Sequence, residues 1–468
     1  MRRVRLFLDS QGYQELPFVV GVMAALTTEE SPTPRWRWID RDNFDELLAE
    51  LAPTLTLPQG TFPFRTLDDF EPPALSARLG DDDPTPLGAN ALLDALRSSA
   101  PPRPAPANPL DAFIGRALEG TTIHRGDEPS SRLPGATRVR EVLREPAFRA
   151  LEATWRGLYH LVRNVDTDAG LRLRVCDARH DQLATALETL PATEPINLVL
   201  ADFPFGRTDD DVTHLYPLAK LLAQRGTLLL AGEQPNTQPG QAWPVFRRLD
   251  AARQLALVGP RVLARYPHAS DEFTEITEPS DRGQYLWANA IWRVGAALLA
   301  SVAETGWFAK LHGLRLEGLP TPSYRDADGE SVLFAPVETP LDDKAMLRRA
   351  DEGWISVIHE RGSDRALVPI LRTLQEPTLQ EDAEAKAAVE VMARVPYVLA
   401  SQRYVQAARL IGADTDRLNE WLRDSVSAYG PLLDAVAQAQ GGSVRLFLQP
   451  WLGQEELPGA VYAGEVES

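Results

Sequence analysis

Between Leu171 and Glu233 the chain alternates at short range between runs that suit a strand and runs that suit a helix. "LRLRVCDA" is followed by "DQLATALETL", "INLVLADF", "VTHLYPLAKLLAQR" and "TLLLAGE". Strands that alternate with helices in this way pair side by side through helical crossovers. The segment therefore predicts an α/β layer with a partly parallel sheet. Strands near the chain ends then either join this sheet or remain as edges that another molecule can complete.

Two such strands stand out, because the pentapeptide "VRLFL" occurs at Val4 to Leu8 and again at Val444 to Leu448. Each copy places Val, Leu and Leu on one side and Arg and Phe on the other, the period of a strand with one buried face. Val4, Leu6, Phe7, Leu8, Val444, Leu446, Phe447 and Leu448 are thus candidates for pairing with a neighbouring molecule.

The remainder divides into blocks. Residues 1–98 form the first, in which the apolar run "LPFVVGVMAAL" predicts a buried strand. "DRDNFDELLAEL" predicts a helix with Asp40 or Asp42 as its cap, because Phe44, Leu47, Leu48 and Leu51 share one face. "PQGTFPFRTLDDFEPPAL" reads as loop and short strand. Residues 99–109, "SAPPRPAPANP", read as a stiff proline-rich linker. The second block, 110–468, opens with its clearest helix, "EPAFRALEATWRGLYHLVRN". Phe148, Leu151, Trp155, Leu158 and Tyr159 form an apolar stripe there, which marks it as the subunit's packing helix. Further helices are expected in "LWANAIWRVGAALLASVAETGW" and in "EDAEAKAAVEVMARVPYVLASQRYVQAARLIG". A terminal strand segment spans 443–468.

Chemistry is scarce. No phosphate loop, dinucleotide fingerprint, nucleophile elbow or HExxH motif is present. The seven histidines are scattered without metal-ligand spacing, so neither a metal nor a cofactor is expected. Asp202, at the end of "INLVLAD", and His359 are the two candidate catalytic groups. A helix-capping or turn role is the plainer reading of Asp202. The single cysteine, Cys176, excludes a disulfide framework and fits a reducing cytoplasm as a small buried hydrophobe. "DDDP" at Asp81 to Pro84 reads as a solvated turn. A net charge of −18 with interleaved arginines argues against nucleic acid, and no apolar run is long enough to insert in a membrane. Assembly of so acidic a chain would need a basic patch. "RVREVLREPAFR" is a candidate, with ordinary exposed helix positions as the alternative.

"ELPFVVGVMAAL", "IDRDNFDELLAELAP" and "FRTLDDFEP" resemble the small subunit of the type VI secretion contractile sheath. "LREPAFRALEATWRGLYHLVRN", "VLADFPFGRTDDDV", "YLWANAIWRVGAALLASVAETGW", "APVETPLDDKAMLRRADEGWISVIHERGSDRAL" and "ARVPYVLASQRYVQAARLI" resemble the large subunit. The resemblance implies a fusion of both on one chain, with an α/β fold whose mixed sheet is flanked by helices. It implies a structural protomer without enzymatic activity that polymerises with itself around an inner tube protein on a baseplate. Terminal strands would be exchanged between protomers, and no cofactor would be needed. A AAA+ recycling ATPase is a further partner of that family, for which "NALLDALRSS" or "LDAFIGRALEGTT" would be the contact here. A non-contractile cap, adaptor or regulator derived from a sheath, and an α/β enzyme, are the alternatives.

Overall fold

The computed structural model describes residues 18–80 and 133–376, less 31, 168–169, 192–195, 226, 306–311 and 326–329. It also describes the backbone of three short strands at 5–7, 13–15 and 122–123. The second VRLFL copy, "DDDP", the linker and the long helix expected after residue 380 lie outside the described residues.

The chain opens with β1 (Arg5–Phe7) and β2 (Tyr13–Glu15), which pair with each other, followed by β3 (Phe18–Ala24) and β4 (Trp36–Ile39). Helix α1 (Phe44–Leu51) leads to the hairpin of β5 (Thr54–Leu57) and β6 (Gly60–Pro63), then to α2 (Pro72–Leu79). Asn43 precedes α1 as its cap. Asp40 accepts from the backbone N–H groups of Asp42 and Asn43 just outside the helix, so neither expected aspartate is the cap residue. α2 was expected to be loop. Its two prolines, Pro72 and Pro73, occupy the first turn, where a missing N–H costs nothing.

After β7 (Thr122–Ile123) come α3 (Ala136–Arg144), α4 (Pro146–Asn164), β8 (Leu171–Asp177), α5 (Leu183–Glu188) and β9 (Leu198–Phe205). They are followed by α6 (Asp209–Arg225), β10 (Leu228–Glu233), α7 (Ala242–Arg247) and β11 (Leu255–Gly259). Short strands β12 (Val262–Leu263) and β13 (Trp287–Ala288) precede α8 (Ile291–Thr305). The helix expected from Leu286 therefore starts five residues later, behind a strand. The described part continues with β14 (His312–Leu316), β15 (Ser323–Arg325), β16 (Ser331–Leu333), α9 (Asp343–Asp351), β17 (Trp354–Ser356), β18 (Ile358–His359) and β19 (Ala366–Ile370). Of these, β14 and β18 pair antiparallel with β19, and β15 pairs antiparallel with β16.

Seven strands build the main sheet in the order β17-β11-β10-β9-β3-β8-β4. Every neighbouring pair is parallel except β4 against β8, so the sheet is mixed, as expected. β3 comes from the first block yet lies between β8 and β9 of the second. All seven of its residues are buried, the continuous apolar pattern of a strand covered on both faces. Phe18, Val20, Val22 and Ala24 face one core with α4 and α8, while Val19 and Met23 face the other with α5, α6 and α7. Gly21 sits where a Cβ would come within 2.9 Å of the Trp36 ring, which lets β4 fold close over the sheet end.

Candidate functional site

Within the first VRLFL copy, Arg5–Phe7 form a strand. β1 pairs antiparallel with β2, with Leu6 opposite Gln14 and Phe7 opposite Tyr13, in a two-stranded sheet separate from the main one. Its outer edge has no partner among the described strands. Of the eight strand candidates, Leu6 and Phe7 are placed by their backbone. Val4, Leu8, Val444, Leu446, Phe447 and Leu448 lie outside the described residues.

The packing-helix candidates converge on the first block of their own chain. On α4, Phe148, Leu151, Trp155 and Leu158 are buried and Tyr159 is partly buried. Trp155 and Tyr159 meet the Phe44 ring edge-on at 5.8 and 5.2 Å between centroids. Phe148 meets Phe64 and Phe70, themselves stacked at 4.2 Å. The Trp155 indole N–H donates to the Leu26 carbonyl at 3.1 Å, so the stripe fastens the two blocks by hydrogen bond as well as by apolar contact.

The same helix carries a charged group that the periodicity did not reveal. Glu152 is fully buried and accepts from Arg156 and from Arg265, each at 2.7 Å. Arg156 reaches on to Glu71 of the first block at 2.7 Å, and Arg265 to Glu275 at 2.7 Å. His268 Nδ1 lies 3.2 Å from Glu71. Burial would raise the Glu152 carboxyl, but Arg265 and Arg156 more than offset it and hold it below the usual range. Burial, then Arg265, keep His268 well below its ordinary value, so its ring is neutral. A paired, hydrogen-bonded network of this kind resists losing one partner, because the charge left behind is buried alone. In sequence Glu152 and Arg156 look like an exposed i, i+4 pair, which is why the site is hidden there.

The catalytic candidates do not assemble. Asp202 accepts a 2.6 Å hydrogen bond from Thr154, and the His359 ring lies 2.9 Å from the Ser363 carbonyl through Nε2. The two do not pair with each other, and no hydrogen bond joins His359 to a hydroxyl or thiol among the described residues. Asp202 caps no helix. The amino terminus of α6, where an α/β enzyme would hold a phosphate, is filled by Asp211. Its carboxylate accepts from the Gly206 and Thr208 N–H groups at 2.9 and 2.8 Å. Burial pushes the Cys176 thiol up to about 12, which leaves it inert at neutral pH. No cluster of metal-ligating side chains occurs among the described residues.

The arginines of "RVREVLREPAFR" are likewise spent inside the chain. Arg138 donates to the Leu79 carbonyl, Arg140 to that of Thr274, Arg144 to Thr277 and Gln284, and Arg149 to Gly283. No helix among the described residues is long and apolar enough to cross a membrane.

Comparison with known proteins agrees with a structural role. Residues 136–194 and 231–375 match the VipB family model, an EvpB-type tail sheath N-terminal domain. The matched stretches run from α3 into the segment after α5, and from β10 past β19. The chain is also 25% identical over 351 residues to the type VI secretion system sheath protein TssC1 of Pseudomonas aeruginosa, spanning 62% of this chain and 70% of that protein. Both likenesses are to sheath proteins, and they support a structural role of the type VI secretion contractile sheath kind.

Proposed function

We propose that this chain joins small- and large-subunit sheath blocks in one polypeptide and polymerises as a helical tube. The tube would surround an inner tube, stand on a baseplate in the cytoplasm, and contract to drive the inner tube forward. The observation that carries the reading is β1. It forms a two-stranded ladder apart from the main sheet, with an outer edge unpartnered among the described strands. A strand in that position accepts or lends main-chain hydrogen bonds to a neighbour, with side chains on alternate faces setting register. Leu6 and Phe7, with Val4 and Leu8 beside them, would form that edge. Val444, Leu446, Phe447 and Leu448 would form its counterpart near the other end of the chain.

Contraction then needs no cofactor. Bodies held rigid by a shared core rotate against one another while strand linkages keep them joined, and the free energy is that of interfaces left unused in the extended tube. Recycling by a AAA+ ATPase would act through 90–99 or 110–122. Electron microscopy of the purified chain tests the reading against a variant lacking residues 1–10. The full chain should form long tubes, whereas the truncated chain should remain folded by circular dichroism and form none. Tubes of normal length from the truncated chain would eliminate strand exchange. A monomer or closed ring from the full chain would favour a cap or adaptor derived from a sheath.

A further inference from the structure

Copies of a chain with a net charge of −18 repel one another unless a basic site on one receives an acidic site on the next. The arginine-rich run before α4 does not supply it, as its side chains serve their own body. A different cluster stays open. The carboxyl ends of β10 and β11, with Trp354 at the start of β17, border a cleft of about 480 Å3, walled in part by α9. Four arginines line it, Arg207, Arg261, Arg348 and Arg349, against three carboxylates, Glu233, Glu338 and Glu352.

Three of the arginines are committed. Arg349 grips both oxygens of Glu233, Arg261 grips Glu338 through Nε at 2.8 Å, and Arg207 meets Glu352 at 2.6 Å. Arg348, in the last turn of α9, is exposed and makes no ion pair among the described residues. The cleft therefore carries one guanidinium more than it has carboxylates. Glu352 is 47% exposed at its side chain, and Arg261 51%, so both pairs can exchange partners with an incoming group. A phosphate is poorly served here, since Asp211 already occupies the Gly206 and Thr208 N–H groups just before α6. Carboxylates suit it, one at a time, in the fork geometry that guanidinium favours.

The matching surface is on the same chain. α1 buries Phe44, Leu47 and Leu48 and turns Asp45 and Glu46 outward, with Asp42 exposed just before it. None of these three acids makes an ion pair among the described residues, whereas Glu50, on the same helix, is held by Arg37 at 3.3 Å. We propose that the arginine cleft of one copy receives the acidic face of α1 from a second copy, with Arg348 opposite Glu46. The proposal rests on the sheath reading for the expectation that copies meet, and it adds which faces meet.

Cysteine trapping tests it on the full chain, because native Cys176 is buried and does not compete. Arg348→Cys and Glu46→Cys chains are mixed and treated with diamide. A mixed disulfide dimer should form several-fold above either variant alone and decline in 1 M salt. Absence of the mixed dimer, or equal dimer from either variant alone, overturns the proposal. Both positions are exposed, and an unchanged thermal midpoint verifies folding. A mixed dimer from a chain that never forms tubes would keep this docking and remove the sheath reading. Tubes without the mixed dimer would do the reverse.

Discussion

Asp202 lies inside β9, three residues before its end, partly buried, with Thr154 donating to it from α4. Burial pushes its carboxyl up to about 6, against the opposing hydrogen bond from Thr154. The folded chain then holds this proton more tightly than the unfolded chain, whose carboxyl titrates near its ordinary value. The site's contribution to stability is complete below about pH 4, declines as pH rises through about 6, and stays lost above it. The displacement corresponds to roughly 2–3 kcal/mol. Asp202→Asn keeps the acceptor for Thr154 and never ionises. Thermal midpoints measured from pH 4 to 8 should show the parent falling relative to the variant across that window. Parallel curves would mean that the carboxyl ionises at its ordinary pH. In the sequence, Asp202 was read as a strand-end carboxylate, whereas β9 runs on to Phe205, and its partial burial was not legible. What buries it is Thr154, forty-eight residues earlier on a helix face, and such a neighbour is set by packing that no local pattern encodes. Glu152 was hidden for the same reason, its two arginine partners lying four and 113 residues away.

Helices α4 and α8 cross at Gly157, where an added Cβ would lie 2.4 Å from the Trp292 indole. Trp292 is 1% exposed and closed in on its other sides by the core, so neither helix can shift freely. Gly157→Ala gains helix propensity of about 1 kcal/mol, but overpacking costs about 1–3 kcal/mol or more, and the rigid indole leaves no flexible end to yield. A lowered urea midpoint is expected. A raised one would mean that the crossing is looser than the contact distance implies. The elements themselves were readable wherever periodicity was strong. α4 follows its apolar stripe, and the strands from Leu171 to Glu233 fall where strand–helix alternation put them. Boundaries were readable only where a residue forces them. "LWANA" carries small residues that suit a helix or a strand equally, so β13 was absorbed into the expected α8. The real start is marked by Asn289, whose side chain accepts from the Ile291 N–H at 3.2 Å. In α2 the prolines misled, because a breaker at the interior of a helix is a favourable residue at its first turn.

At the scale of the molecule, the order of the main sheet makes the two blocks mechanically one. β3 pairs with β8 along seven residues and with β9 along four, so its removal opens the sheet down its middle. Phe44, Phe62, Phe64 and Phe70 of the first block are each 2% exposed or less, and burying one such side chain contributes roughly 1.5–3 kcal/mol. Glu71 adds the charged link through Arg156. The proline-rich run at 99–109 read in sequence as a spacer between blocks, and composition alone cannot tell whether blocks so joined stand apart or interlock. A strand inserted between two strands of the other block favours interlocking. The consequence is measurable: a protease site placed within 99–109 and cut to completion should yield two fragments that co-elute on gel filtration in native buffer. They should part only at denaturant concentrations that unfold the uncut chain. Fragments that separate in native buffer would show that the first block does not depend on the second. Interlocking would also serve the contracting assembly proposed above, because a body whose blocks share one sheet passes rotation on to its neighbours instead of absorbing it.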